Sequence, residues 1–383
     1  MMNAIYLDHA ATTPVHPDVL EAMLPFYTAN FGNPSSTHSF GRGARTALNR
    51  FRDFMAKSLG CLPAELIFTS GGTESNNMAI FGVLNANKDG KKHIITTQIE
   101  HHAVLHPCER LESLGYEVTY LPVDPTGLIQ IEDVEAAIRP DTVLISIMYV
   151  NNEVGTIQPI EQVGKLARSR KIPFHVDAVQ ALGKLPLNLA ELPVDLMSLS
   201  AHKIYGPKGV GALYVSKNTR LLPHSYGGSQ ERKRRAGTEN IAGIAGFAKA
   251  LETSLSAMES LVQDVMEYRG LMVSILEQQL GCDSFVINGH MEQSIPHILN
   301  ISFPGTSTET LLMNLDIEDM AAASGSACTS GSLEVSHVLK AMKLPENVTA
   351  SAVRFSFGMG NSIEQIETAA QKLATIVKRL RSN

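Results

Sequence analysis

Ser198-Leu199-Ser200-Ala201-His202-Lys203-Ile204-Tyr205-Gly206-Pro207-Lys208-Gly209 is the stretch that decides how the chain is read. An apolar run at 194–199, with one acid, Asp195, in it, delivers a turn of small residues, then His-Lys, then a loop punctuated by glycine and proline. A lysine just past a buried strand is unusual, because an ammonium resists desolvation and lysine is almost never fully buried unpaired. Burial lowers a lysine pKa, which is what a Schiff-base lysine requires. A surface lysine at a strand end explains the stretch equally well, so the rest of the chain has to decide.

Upstream, short apolar runs alternate with helical patterns. Strands are expected at 66–69, 92–97, 117–122, 143–150, 173–177, 196–200 and 211–215, with helices near 39–59, 76–84, 102–114, 131–137 and 160–170. Apolar strands separated by helices predict an α/β fold, a mostly parallel sheet flanked by helices. Ligands on such sheets sit outside the carboxyl ends of the strands. The residues just past those ends are polar: His101, Asn151 and Asn152, Asp177 with Gln180, and Lys203. A long helix is expected from about 240 to 280, followed by shorter strands and helices that read as a smaller α+β C-terminal domain.

Composition limits the function. The chain has 383 residues, 44% of them hydrophobic and 18% charged, as expected of a globular enzyme. A formal charge of -6 gives no general attraction to nucleic acid or anionic membrane. No apolar run approaches a bilayer span and no leader is expected at the start. Cys61, Cys108, Cys282 and Cys328 are scattered without a Cys-x-x-Cys pair, which argues against a disulfide framework or zinc knuckle and suits a reducing cytoplasm.

Ser70-Gly71-Gly72-Thr73-Glu74-Ser75 lies between a strand and a helix, where free backbone N–H groups can face an anion. A plain turn with Thr73 as helix cap and Glu74 following is the alternative. Asp177 could bind a metal, pair with an arginine or hold a protonated ring nitrogen. His175 could supply one further metal ligand, but no cluster completes such a site, so no metal is expected. His102 and His106 are spaced i, i+4, yet Ala103 stands where a zinc helix would carry glutamate. His101, nearer the strand end, could stack on a flat cofactor and exchange protons.

Cys328 lies in the small-residue run 321–332, expected to be a loop on which a reactive thiol travels. Cys61 and Cys282 follow glycines and read as structural, and Cys108 as a core cysteine. Arg354, inside the apolar strand at 353–356, calls for an edge position or an anion, and a substrate carboxylate is a natural partner. The basic run 231–235 reads as a solvated loop. Gly-x-Gly-x-x-Gly is absent after the first strand, which argues against a nicotinamide oxidoreductase.

Taken together the motifs resemble the NifS/IscS cysteine desulfurases, class V aminotransferase-like enzymes on the fold type I pyridoxal phosphate scaffold. The resemblance runs from Tyr6-Leu7-Asp8-His9-Ala10-Ala11-Thr12-Thr13-Pro14 through Val150-Asn151-Asn152-Glu153-Val154-Gly155 to Ser324-Gly325-Ser326-Ala327-Cys328 and Val353-Arg354-Phe355-Ser356. The run after Cys328 resembles the subgroup with a long cysteine loop. The resemblance implies pyridoxal 5'-phosphate as cofactor, held covalently by Lys203. It further implies Asp177 on the pyridine nitrogen, Gln180 and Asn152 near the ring hydroxyl, and His101 stacked on the ring. Gly72, Thr73, Ser200 and His202 would hold the phosphate, with Thr238 supplied by the other subunit of a homodimer. Arg354, Asn152 and Asn33 would take the substrate carboxylate.

By the same resemblance L-cysteine becomes L-alanine, with Lys203 as base, His101 handling protons and Cys328 receiving sulfur as a persulfide. The sulfur would pass to an acceptor protein, an iron–sulfur scaffold or a tRNA thiolase. The implied domains are 15–260, binding the cofactor, and 1–14 with 261–383, carrying the cysteine loop at about 321–336. Rival readings are a selenocysteine lyase or another class V aminotransferase and, in a different class, a non-catalytic sulfur-relay protein, which would have no use for Lys203 with Asp177.

Overall fold

A computed structural model describes residues 4–325 and 335–382. The described strands are β1 (Ile5–Tyr6), β2 (Leu66–Thr69), β3 (His93–Thr97), β4 (Glu117–Leu121), β5 (Thr142–Met148), β6 (Phe174–Asp177), β7 (Leu196–Ser200), β8 (Gly211–Val215), β9 (Val286–Asn288), β10 (Ile298–Ser302), β11 (Met320–Ala321) and β12 (Ala352–Ser356). Seven of them form one sheet in the order β2-β8-β7-β6-β5-β3-β4. Its pairs from β4 to β7 are parallel, while β8 runs antiparallel to both β7 and β2. All of the residues of β5, β6, β7 and β8 are buried, as strands covered on both faces must be. This is the mostly parallel α/β sheet expected from the sequence.

The order of strands sets the position of the ligand site. After β3 the chain first adds β4 on one side, then returns through a helix to add β5 on the other. That reversal opens a crevice at the carboxyl ends of β3 and β5. His101 follows β3 and Asn152 follows β5, so both flank it. Pairing places Met148 beside Asp177 and Asp177 beside Ser198, so β5, β6 and β7 end close to the same level. The short β7–β8 connection then begins with a single 3-10 turn, Ala201–Lys203, which turns Lys203 back over the sheet end.

A second sheet, β12-β10-β9, is antiparallel, and β1 pairs in parallel with β11. The helix Ile241–Leu280 joins the two parts. At 40 residues it is about 60 Å long. Ile244, Phe247 and Leu251 pack into the core under the large sheet. Leu261, Val265, Met272 and Leu276 pack into a separate core with Ile5, Leu7 and β12. No helix among the described residues is long and apolar enough to cross a membrane.

Two readings of the sequence need correction here. Residues 231–235 are not simply a solvated loop. Glu231 is buried and bonded by Arg52 through both guanidinium Nη atoms, at 2.8 and 2.6 Å, and it also accepts from Phe68 N at 3.1 Å. Cys282 is exposed, whereas Cys108 is buried as expected and its thiol is pushed up to about 12 by desolvation first. Cys61 is half-buried and pushed up to about 12, again mainly by desolvation.

Candidate active site

A cavity of about 290 Å³ lies at the carboxyl ends of the parallel strands. Its walls bring together Gly72, Thr73, His101, Asn152, Asp177, Gln180, Ser200, His202, Lys203 and Arg354, residues spread over 283 positions from Gly72 to Arg354. Asn33 and Thr238 are not among them. Asn33 is exposed and its side chain accepts from Ser35 N at 2.9 Å, closing a local turn instead of reaching the cavity. Thr238 is exposed and lines a different recess, beside Glu231 and Arg235. Cys328 lies outside the described residues.

One end of the cavity is built for an anion. Gly71 precedes the helix Gly72–Ala86 and offers no side-chain cap, so Thr73 is not the cap that a plain turn would use. The first intrahelical bond is Ser75 N to Gly71 O at 3.1 Å. The N–H groups of Gly72, Thr73 and Glu74 therefore precede the ladder and point out of it, with the positive end of the helix dipole behind them. A side chain at position 72 would press on Val179 Cγ2 at 2.7 Å, so glycine keeps this approach open. Ser200 Oγ faces the same region, buried and without a partner among the described residues. A buried orphan hydroxyl costs free energy unless a ligand satisfies it.

Asp177 is fixed at the other end. Its Oδ2 accepts from Asn76 Nδ2 at 2.7 Å and its Oδ1 from Val179 N at 3.0 Å. A carboxylate held by two donors stays oriented toward whatever cation faces it. Asn76, which the sequence reading overlooked, lies on the phosphate-type helix and so ties the two ends together. Its own Oδ1 is buried without a partner. An i+4 offset from Gly72, inward on the same helix, was the signal that could have found it.

Lys203 lines the same cavity, its Nζ donating to Ala10 O at 2.5 Å and Ala11 O at 2.7 Å. His101 caps the helix His102–Glu112, its Nδ1 accepting from Ala103 N at 3.0 Å. With Nδ1 occupied as acceptor, the neutral ring carries its proton on Nε2. Desolvation lowers the His101 pKa, Asp177 opposes that, and the charges of Lys203, His102 and His337 add to the lowering. His202 is pushed down to about 4, by desolvation first and then by neighbouring lysines.

Arg354 is almost fully buried at 2% exposure. It pairs with Asp8 at 2.8 Å and donates to the carbonyls of Asn152 at 2.8 Å and Gly325 at 3.3 Å. The anion that this strand arginine already meets is thus Asp8, and only its Nε has no partner among the described residues. His175 is no metal ligand. It bridges Ser146 at 2.8 Å and Ser198 at 2.9 Å across three strands, and desolvation pushes it down to about 3. Among the described residues no group of His, Cys, Asp and Glu could hold a metal.

The pieces fit pyridoxal phosphate: an anion cradle with an orphan hydroxyl, an oriented carboxylate for a protonated ring nitrogen, and an amine in the same cavity. The comparisons agree. The model of the class-V aminotransferases matches residues 5–368. The cysteine desulfurase IscS of Dictyoglomus turgidum is 48% identical over 382 residues, covering 100% of this chain and 96% of its own. That of Methanosarcina thermophila is 46% identical, covering 99% of this chain and 93% of its own. Among solved structures, a NifS-like protein superposes with a TM-score of 0.92 at 37% identity, covering 98% of this chain and 100% of its own. SspA in complex with cysteine superposes at 0.81 with 38% identity, covering 92% and 99%. The chain belongs to the class-V aminotransferase family and, within it, to the pyridoxal phosphate-dependent NifS/IscS cysteine desulfurases, with their fold type I architecture.

Proposed function

We propose that the protein is a cysteine desulfurase that converts L-cysteine to L-alanine and leaves the sulfur on Cys328 as a persulfide. The observation that carries this reading is that one cavity is lined by Lys203, the Asp177–Asn76 pair and the open helix N-terminus at Gly72–Thr73. Pyridoxal phosphate, when bound, supplies an electron sink for the carbanion formed at the substrate α-carbon. Gly72, Thr73, Ser200 and His202 would hold its phosphate, and Asp177 would face its ring nitrogen. His101 would lie against the ring, and Asn152 and Gln180 would bond its oxygen.

The chain's own groups do the rest. Lys203 would hold the cofactor and, as the amine beside the substrate α-carbon, would take the α-proton on Nζ. Arg354 would receive the substrate carboxylate through Nε, its one guanidinium nitrogen without a partner among the described residues, while the pairing with Asp8 holds the guanidinium in orientation. His101 holds and returns protons at Nε2 for the substrate amine and thiol. The Cys328 thiolate bonds the substrate sulfur as the carbon–sulfur bond breaks, and the carbon takes up a proton. Cysteine plus protein thiol becomes alanine plus protein persulfide, with no external oxidant.

The same reading includes a homodimer, because Thr238 lies away from its own chain's cavity and is free to serve a partner's. It also includes a cytoplasmic location and a sulfur-acceptor protein, an iron–sulfur scaffold or a tRNA thiolase. The domain division at about residue 260 follows the change of core along the long helix. The test is Cys328→Ala with cysteine and dithiothreitol. Loss of alanine and sulfide, with the yellow colour of the cofactor retained, is expected. Turnover at the wild-type rate would remove the thiol role. A purified protein that stays colourless after reconstitution would remove the whole reading.

A further inference from the structure

Lys203 also lines a second, small cavity of about 10 Å³. Lys184, Lys203, His9 and His297 share its walls, and no carboxylate does. Lys184 reaches it because the chain turns at Gly183, where φ is +69°. A side chain there would also meet Ile204 Cγ2 at 2.9 Å and Ser254 Cβ at 3.0 Å. Lys184 keeps some exposed surface as a residue, but its amine is enclosed. Burying an amine is costly, so its one hydrogen-bond acceptor among the described residues matters: Gln180 Oε1, at 2.8 Å.

Gln180 is itself buried and lines the large cavity. Its Nε2 donates to Ala10 O at 2.9 Å, the same carbonyl that accepts from Lys203 Nζ. A carbonyl can only accept, and a lysine ammonium can only donate. Turning the amide over would set oxygen against oxygen and N–H against ammonium. The two contacts together therefore fix which end of Gln180 is which.

We propose that Lys184 is a positioning residue that locks the Gln180 amide, so that Gln180 presents an N–H and not an oxygen toward the cofactor. The reading rests on the proposed function, which places Gln180 at the ring oxygen, an acceptor. It adds a residue that touches neither cofactor nor substrate. Desolvation pushes the Lys184 amine down to about 7, with the charges of Lys203 and Arg354 adding, so the donor-only ammonium of this lock is the form that prevails below that pH. The groups facing it are His9, His202, His297, Lys203 and Arg354, all neutral or cationic.

The experiment is a double-mutant cycle read on the full-length protein. Cofactor is removed and re-added to wild type, Lys184→Met, Gln180→Met and the double variant, and the pyridoxal phosphate dissociation constant is measured by absorbance. The pH midpoint of the bound cofactor's visible spectrum is read alongside. Each single variant is expected to weaken binding by about three- to tenfold, the worth of one buried hydrogen bond. The double variant should be no weaker than Gln180→Met alone, because Lys184 acts through Gln180. The spectral midpoint should move by about half a unit or more in each single variant.

Additive losses, or a Lys184→Met protein within twofold of wild type in affinity and spectrum, would overturn the proposal. Gln180→Glu keeps it falsifiable if Lys184→Met fails to fold. Its carboxylate should pair with Lys184 but sets an oxygen against Ala10 O, so affinity falls for lack of the donor. A Gln180→Glu protein that binds cofactor like wild type would refute the locked amide. Wild-type protein that binds no pyridoxal phosphate would sink the proposed function itself, a result distinct from these.

Discussion

Replacing Arg52 by methionine should show how the edge of the sheet is held in place beneath the anion cradle. Arg52 is buried, makes two bonds to Glu231, donates to Leu66 O at 2.7 Å and lies 4.5 Å over the Phe68 ring. Glu231 in turn accepts from Phe68 N, so both residues grip β2 just before Ser70 and Gly71. Removing the guanidinium leaves a carboxylate enclosed with one backbone donor. Breaking a buried pair from one side costs about 3–5 kcal/mol, because the remaining charge is uncompensated. The lost carbonyl contact at Leu66 adds about 1 kcal/mol. Urea unfolding of the apo-protein should therefore register a loss of about 4–6 kcal/mol for Arg52→Met. The double variant Arg52→Met, Glu231→Leu should recover most of it, since an apolar pair of similar volume avoids the desolvation penalty. Cofactor affinity should follow the same pattern, as the strand end carries the cradle. A double variant no more stable than the single one would refute the reasoning, and would mean that the backbone of residues 231–235, with φ positive at Glu231, Arg232 and Lys233, needs these particular side chains.

Other perturbations read other parts of the site. Lys203→Ala should abolish alanine formation and leave no chromophore retained through borohydride reduction and denaturation; mass spectrometry of the reduced wild type should place the adduct on Lys203. Asp177→Asn removes the charge while sparing shape, and should lower turnover by about 10²-fold or more, measured as alanine released. Glu100 is fully buried, accepts from Met148 N and Thr97 Oγ1, and is pushed up to about 8 by desolvation first. Its folded pKa lies above its unfolded one, so between about pH 4.5 and 8 the native state binds the extra proton and stability falls as pH rises. Glu100→Gln should remove that decline, leaving the variant more stable than wild type at pH 8 and similar at pH 5, by thermal unfolding in matched buffers.

Much of this architecture was readable because it is written locally. Strand–helix alternation, the glycines at 71 and 72 and the small residues around Lys203 are all contained in short windows, and each limits backbone or burial on its own. What escaped reading depends on partners far apart in sequence. Glu231 looked like the acidic member of a solvated run because nothing near it announces Arg52, 179 residues earlier. Asn76 looked like an ordinary helix residue until Asp177 arrived from β6. Asn33 had the right chemistry for a carboxylate, but its Oδ1 closes its own turn and it does not line this chain's cavity. Arg354 reads in the sequence as an edge residue or one that meets an anion, a substrate carboxylate above all, and the anion it meets in the chain is Asp8.

That last pair has a consequence for how the protein comes into being. Asp8 and Arg354 are 346 residues apart, and β1 likewise waits for β11. At ribosomal speeds of about 5–20 residues per second, roughly 17–70 s separate the synthesis of the two halves of that ion pair. The large sheet can form while the chain is still growing, but its cavity lacks a wall until almost the last strand has been made. A nascent chain could thus take up cofactor at the sheet end well before it could hold a substrate carboxylate. Stalled or truncated products would be coloured and inert, unable to release sulfur into the cell before the polypeptide is whole.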